Sequence, residues 1–254
     1  MHELCGAALR EARHDRLKES TMKKMSLLLG TAAIAAVAFT FARADQDPRI
    51  VPVSQVADAP TTGIQTAVLS GGCFWGLQGV FEHVKGVKQV LAGYAGGDRN
   101  TAVYEVVSGG ATGHAESVQI KYDPKVISYG ELLRVYFSVA TDPTELNRQG
   151  PDEGTQYRGE IWYTTPDQKR VAEAYIDQLK RARSYADPIV TRVDTFRGFY
   201  PAEGYHQDFL IKNPDYPYIV INDKPKIENL QKLLPQDYVA TPVRVSDITP
   251  IKVE

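Results

Sequence analysis

Residues 66–84 change within a few positions from the pattern of a β-strand to that of an α-helix. The strand-like stretch "TAVLS" stops at Gly71 and Gly72, and apolar residues then recur at the spacing of one helical face. A strand that turns directly into a helix places Cys73 in the first helical turn. The segment therefore predicts a β–turn–α unit with a thiol at the turn.

The same alternation continues along the chain and predicts the fold class. Ser128 and Pro166 stand where a helix cap and a first helical residue are expected. Strands alternating with helices indicate an α/β domain, for which α+β is an equally fair label. Strands are predicted near 87–97, 114–124, 158–164 and 189–195, and helices near 128–140, 166–183 and 202–209.

The N-terminal region has the pattern of a secretory signal. Residues 22–44 combine a basic start, an apolar run and an Ala-Arg-Ala end, which predicts cleavage after Ala44 and a periplasmic or secreted protein. A buried N-terminal helix and a retained anchor are the alternatives. The predicted organisation is an upstream extension with the signal peptide over 1–44, a linker over 45–64, a catalytic domain over 65–225 and a wrapping tail over 226–254.

Charge and cysteine content narrow the functional classes. A net charge of −2 over 254 residues gives no reason to expect a nucleic acid as partner. Cleavage after Ala44 would remove Cys5 and leave Cys73 as the only cysteine, so that no disulfide could form within the mature chain. Cys73 is then either a buried, inert thiol or a reactive one.

The position of Cys73 favours the reactive interpretation. Free N–H groups and the positive end of the helix dipole stabilise an anion in the first turn, so a thiolate with a low pKa is expected. Phe74 lies on the core-facing stripe, whereas Trp75 is predicted to face outward with Gly79 and Glu82. There the indole would wall a small apolar pocket beside the sulfur.

Glu116 is a candidate general acid. It shares strand parity with Val118 and Ile120, so it is expected to point to the apolar side, where burial raises the pKa of a carboxyl. The alternative is a frayed strand start that faces water. His114 has the opposite parity and is predicted to be a surface or turn histidine.

The polar segment 141–163 is long for an idle connection and contributes two further candidates, Asp152 and Tyr157. Solvated turn residues are the alternative for both. His206 would either orient a site or cap a helix, and spacing does not decide between these roles.

Three motifs in order, over about 66–225, resemble the A-type peptide-methionine (S)-S-oxide reductases. They are "GCFWG" at 72–76, "TGHAE" at 112–116 and "DPTELNRQGPDEGTQYR" at 142–158. The resemblance implies a two-layer sandwich around a mixed sheet of ferredoxin-like type. It also implies an enzyme that needs neither a metal nor an organic cofactor.

The resemblance assigns a role to each candidate. Cys73 would attack the sulfur of methionine sulfoxide, free or in proteins, and become a sulfenic acid. Phe74 and Trp75 would hold the substrate methyl group.

On the oxygen side, the resemblance implies that Glu116 protonates the sulfoxide oxygen with help from the hydroxyls of Tyr104 and Tyr157. Asp152 matches the buried loop carboxylate of the family, and His206 matches its C-terminal histidine region.

One departure from the family pattern concerns the reductant. Many members carry further cysteines in the C-terminal region, but residues 74–254 contain none. We therefore expect an external thiol, thioredoxin-like or small, to reduce Cys73. A monomer without stable membrane association is expected once the leader is cleaved.

Two other classes of function remain open at this stage. A cysteine hydrolase would use Cys73 with His114 or His206 as base. An exported binding module would instead hold thioether or sulfoxide groups through Trp75. A thioredoxin-type enzyme is disfavoured because the chain has no C-x-x-C motif.

Overall fold

The structure is a computed structural model that describes residues 48–245. A six-stranded sheet in the order β7–β6–β1–β3–β2–β8 runs through it, and a separate two-stranded hairpin joins β4 to β5. Only β6 and β7 are parallel, so the sheet is mixed. The strands are β1 (Gln65–Ser70), β2 (Val87–Ala95), β3 (Ala115–Tyr122), β4 (Arg148–Gln149), β5 (Asp152–Glu153), β6 (Glu160–Tyr163), β7 (Arg192–Thr195) and β8 (Phe199–Pro201).

Helices connect the strands and cover the sheet. Single 3-10 turns lie at 99–101 and 155–157, and π-helical turns at 136–140 and 219–223. The α-helices are α1 (Phe74–Glu82), α2 (Tyr104–Val107), α3 (Tyr129–Val135), α4 (Pro166–Arg181), α5 (Phe209–Lys212) and α6 (Lys224–Leu233).

The four central strands reproduce the predicted fold. Helix α1 carries the chain from β1 to β2, while β3 returns between them and pairs antiparallel with both. Helix α3 then leads toward β6, which pairs antiparallel with the other side of β1. This order, with β7 and β8 added at the edges, confirms the mixed α/β sandwich of ferredoxin-like type.

The two faces of the sheet are packed unequally. On the helix-covered face, Leu69 and Ile120 join Leu77 of α1 and Leu133 of α3 in one large buried cluster. A smaller cluster around Trp162 covers the opposite face. Burial of apolar side chains on both faces stabilises the strand pairing that holds the site.

Local signals set the helix starts. Ser128 and Glu131 form a reciprocal capping box at α3, and Thr165 caps α4 with Pro166 as its first residue. Both cap predictions are confirmed. The helix expected near 202–209 instead begins at Phe209, because Asp208 adopts a left-handed backbone conformation with φ of 54°.

The segments on either side of the domain pack on its surface. Val51 is buried in the main core, and Asp58 accepts a hydrogen bond from the Tyr129 N–H at the start of α3. In the C-terminal part, α6 packs against α1. The division into linker, domain and tail stays a prediction, and the leader at 22–44 lies outside the described residues. Across 48–245, no helix has both the length and the apolar character required to span a bilayer.

Candidate active site

Two glycines shape the turn that presents Cys73. Gly72 has φ of 97°, and a Cβ atom there would lie 2.5 Å from the Gln149 side chain. A Cβ atom at Gly71 would lie 2.8 Å from Oγ1 of Thr141. The turn therefore packs tightly against the 141–149 loop, which only glycine allows. Cys73 is the N-cap residue of α1 and is half-buried.

The surroundings of Cys73 favour the thiol over the thiolate. Burial raises its pKa well above the ordinary value, and the carboxyls of Glu116 and Asp223 raise it further. A hydrogen bond from the Trp75 N–H opposes these effects without overcoming them. The prediction of a low-pKa thiolate was wrong, because desolvation and neighbouring carboxyls outweigh the helix dipole.

Glu116 occupies a dry position at the same helix end. Its side chain is only 2% exposed, and Oε2 accepts a hydrogen bond of 3.0 Å from the Phe74 N–H. Burial raises its pKa to about 8, Asp152 and Asp223 add to the rise, and the Phe74 bond counteracts it. The predicted burial is confirmed, and the carboxyl holds a proton at neutral pH.

Two tyrosines bring hydroxyl groups near this carboxyl. Tyr104 opens α2 and Tyr157 closes the 155–157 turn, and both are half-buried. Burial raises the pKa of each phenol, and the Glu116 carboxyl raises it further. Both hydroxyls therefore stay protonated and available as hydrogen-bond donors.

Trp75 lies inside an aromatic cluster. Its ring stacks on Phe209 with 3.8 Å between centroids, and the Tyr218 ring meets it edge-on at 6.0 Å. The prediction that this helix face points outward was wrong. Gly79 and Glu82 on the same face are buried, because α5 and α6 cover it.

His206 orients the Trp75 indole. Its Nδ1 accepts a hydrogen bond of 3.0 Å from Trp75 Nε1, and the ring is 2% exposed. Burial lowers its pKa, so the ring is neutral and its proton lies on Nε2. The ring also contacts Phe74 and Tyr104, with centroid separations of 5.0 Å and 4.7 Å.

Asp152 lies on β5 and receives a hydrogen bond from the Tyr218 hydroxyl. Burial raises its pKa, while Tyr218 and Lys226 counteract the rise. A second carboxyl, Asp223, is fully buried and lies 3.5 Å from Lys226 Nζ. The C-terminal residues therefore bring a phenol, a carboxyl and an ammonium close to Cys73.

A family model described as peptide methionine sulfoxide reductase matches residues 65–238. The chain belongs to this family. A peptide methionine sulfoxide reductase MsrA 2 of Mesorhizobium japonicum is 59% identical over 183 residues, which cover 72% of this chain and 94% of the relative. One of the same name from Synechocystis is 53% identical over 183 residues, covering 71% and 86%.

Solved structures agree with this membership of the peptide methionine sulfoxide reductases. Reduced Mxr1 from Saccharomyces cerevisiae has a TM-score of 0.55 and 31% identity, covering 65% of this chain and 93% of that one. Methionine sulfoxide reductase A of Corynebacterium diphtheriae has a TM-score of 0.53 and 31% identity, covering 66% and 92%. The chain is therefore an oxidoreductase of the peptide methionine sulfoxide reductase family.

The hydrolase alternative is not supported by the histidines. His114 was predicted to be a surface or turn histidine; it follows the bend at 112–113 but is buried. Its Nε2 bonds the Asp98 carbonyl at 2.9 Å, and its Nδ1 accepts from the Gly97 N–H at 3.2 Å. His206 Nδ1 is engaged with Trp75. Neither ring is hydrogen-bonded to Cys73, as a catalytic base would be.

Sequence reasoning missed part of the peptide methionine sulfoxide reductase site. Tyr218, Asp223 and Lys226 stand in the segment "YPYIVINDKPK", where two tyrosines and one aspartate were the only available signal. Within residues 48–245, no group of three or more His, Cys, Asp or Glu side chains is arranged to hold a metal ion.

Proposed function

We propose that the chain reduces methionine-S-sulfoxide, free and in proteins, through direct attack of Cys73 on the sulfoxide sulfur. The observation that carries this proposal is the placement of a proton-bearing carboxyl, Glu116, at the helix end that presents the thiol. Family membership supplies the general reaction, and this pair supplies the chemistry at the substrate oxygen.

The protonation states of the two groups fit one balanced step. Glu116 donates its proton to the sulfoxide oxygen and takes up the proton of the Cys73 thiol as the sulfur attacks. The Cys73 sulfur bonds to the substrate sulfur, and the protonated oxygen then passes to the Cys73 sulfur as the sulfur–sulfur bond and the sulfur–oxygen bond of the substrate break. The products are methionine and a Cys73 sulfenic acid. The Cys73 sulfur gives up the two electrons that the sulfoxide sulfur gains, so this step needs no other reductant.

Different side chains would contact the oxygen and the methyl group of the substrate. The hydroxyls of Tyr104 and Tyr157 would bind the oxygen, and the rings of Phe74 and Trp75 would contact the methyl group. Because oxygen and methyl lie in chemically different surroundings, the site would select the S epimer. Asp152 and His206 would act through Tyr218 and Trp75, to which they are hydrogen-bonded.

The cellular setting is a further part of the proposal. Export to the periplasm or beyond rests on the leader-like residues 22–44, and repair of oxidised proteins rests on the family. An external thiol, small or carried by a thioredoxin-like protein, would reduce the sulfenic acid. A monomer suffices for this chemistry.

The test offers the separated S and R epimers of a methionine sulfoxide substrate with excess dithiothreitol and follows methionine release. Turnover of the S epimer alone, with a dimedone adduct on Cys73 when the thiol is omitted, is expected. Folded protein that turns over neither epimer would refute the proposal and favour simple binding through Trp75.

A further inference from the structure

A cavity of about 340 Å³ opens beside Cys73. The 137–152 region and the C-terminal residues 218–229 supply most of its walls. The residues proposed to contact the sulfoxide do not line it; these are Phe74, Trp75, Tyr104, Glu116 and Tyr157. Asp152 and Tyr218, which support the site, do line it, so the cavity adjoins the substrate surroundings but reaches the sulfur past a different set of side chains.

The walls of this cavity carry the groups that a short peptide would bind. Asn222 and Asn229 bring side-chain amides, Lys226 an ammonium that also pairs with Asp223, and Asp142 a carboxylate whose Oδ1 also accepts hydrogen bonds from Thr144. In the part of the chain that the structure describes, the Asn229 side chain makes no hydrogen bond and is available to a ligand. The volume is typical of small-molecule sites and too small for a folded domain.

In the second half of the reaction, a reducing thiol must reach the Cys73 sulfur. In the proposed first step Glu116 protonates the oxygen that ends on the Cys73 sulfur, and Glu116 does not line the cavity. A thiol that displaces this oxygen attacks the sulfur in line, from the side away from the leaving oxygen. Cys73 is the only cysteine among residues 48–245, so this part of the chain offers no second thiol, and once the leader with Cys5 is removed the thiol comes from another molecule.

We propose that the cavity binds a peptide-like thiol of low molecular weight that reduces the Cys73 sulfenic acid. The inference rests on the proposed function. The incoming sulfur bonds to the Cys73 sulfur, the S–O bond breaks, and the oxygen leaves as water with the proton of the thiol. A second thiol then attacks the mixed disulfide, which regenerates the Cys73 thiol and releases the reductant as its disulfide.

The experiment separates the two half-reactions. The full chain carrying Cys5→Ser, in which Cys73 is the one cysteine, first reacts with excess methionine sulfoxide without reductant, and methionine released per chain counts the competent sites. Glutathione or 2-mercaptoethanol is then added, and loss of the sulfenic acid is followed by mass spectrometry. The blocking variant is Asn229→Trp, and the matched control is Glu228→Trp, an exposed neighbour on α6 outside the cavity.

We expect reduction by glutathione to saturate in the wild type and in Glu228→Trp. In Asn229→Trp, the rate with glutathione relative to 2-mercaptoethanol should fall about tenfold or more, the loss that follows when a binding site worth at least one hydrogen bond is filled. Asn229→Leu, which keeps the volume and removes the amide, should raise the glutathione concentration needed for half-saturation.

If the rate of reduction by glutathione relative to 2-mercaptoethanol is unchanged in Asn229→Trp, the proposal is overturned. Slower methionine formation from a sulfoxide peptide, with an unchanged ratio, would assign the cavity to the substrate chain and also overturn it. If the wild type releases no methionine, the proposed function fails by itself. Cys73 oxidised with hydrogen peroxide then tests the cavity independently, through the same ratio.

Discussion

The sheet-and-helix frame and the C-terminal cover, residues 203–245, act on the same sulfur in different ways. The frame fixes atoms: β1 and α1 place Cys73, and β3 places the Glu116 carboxyl against the same helix end. The cover contributes burial and charge, with Asp223 next to the thiol. The frame thus positions the reacting groups, while the cover influences their protonation through burial and charge.

The largest effect belongs to the frame. Cys73→Ser replaces the attacking sulfur with a far weaker nucleophile at the same position, so methionine release should fall to the uncatalysed rate. Circular dichroism would show that the fold is intact. Measurable turnover by this variant would show that the Cys73 sulfur is not the attacking nucleophile.

Glu116→Gln keeps the shape of the carboxyl and removes its proton. We expect turnover to fall by a factor of about 10² to 10⁴, the usual contribution of a general acid. Because the pKa of Glu116 is about 8, wild-type activity should decline as the pH rises through that value. A variant that keeps this alkaline decline would show that another group donates the proton.

A smaller effect is expected from the cover. Asp223→Asn removes a negative charge that raises the pKa of the Cys73 thiol, so alkylation by iodoacetamide should speed up severalfold at neutral pH. The pH profile of alkylation should move to lower pH. The double variant with Lys226→Met controls for the ammonium left unpaired in the interior.

An unshifted alkylation profile in both the single and the double variant would mean that the cover excludes water but carries no electrostatic influence on the sulfur.

The smallest effect on catalysis concerns Glu82, which the cover buries. Burial and the neighbouring Asp208 raise its pKa to about 10, so the folded state keeps a proton that the unfolded chain loses above its ordinary value of 4.5. The free energy of unfolding attributable to this group is therefore greatest at low pH and falls as the pH rises from 4.5 toward 10.

Glu82→Gln should remove this decline. Urea unfolding should show the variant gaining roughly 1 to 3 kcal/mol on the wild type between about pH 5 and about pH 8, with unchanged methionine release. Parallel stability curves for the two proteins would contradict the assigned burial.

The frame could be predicted from the sequence because the patterns that determine its strands and helices lie within short stretches of the chain. Strand parity placed Glu116 on the apolar side, and helical spacing placed Phe74 in the core, as the structure has them. Trp75 was misplaced because the elements that cover its helix face lie more than 130 positions later along the chain. Those elements are short, and prolines interrupt their apolar pattern.

The prediction of a low pKa for the Cys73 thiol was wrong for a related reason. The helix dipole can be inferred from the residues next to the sulfur, whereas what opposes it is burial in the folded chain and, after that, the carboxyls at positions 116 and 223. Only the folded chain brings them together. The motifs at 72–76, 112–116 and 142–158 were enough to identify the family. A resemblance compares residue types along the sequence and does not depend on how the folded chain sets the pKa of each group.

The stacking of Trp75 on Phe209 also has a spectroscopic consequence. The chain has two tryptophans, and Trp162 lies in the small cluster on the opposite face of the sheet. In a Trp162→Phe protein, the remaining indole would report by its fluorescence on whatever enters or leaves the aromatic cluster. Trp75, two residues after Cys73, is thus a natural fluorescent probe of ligand binding at the active site.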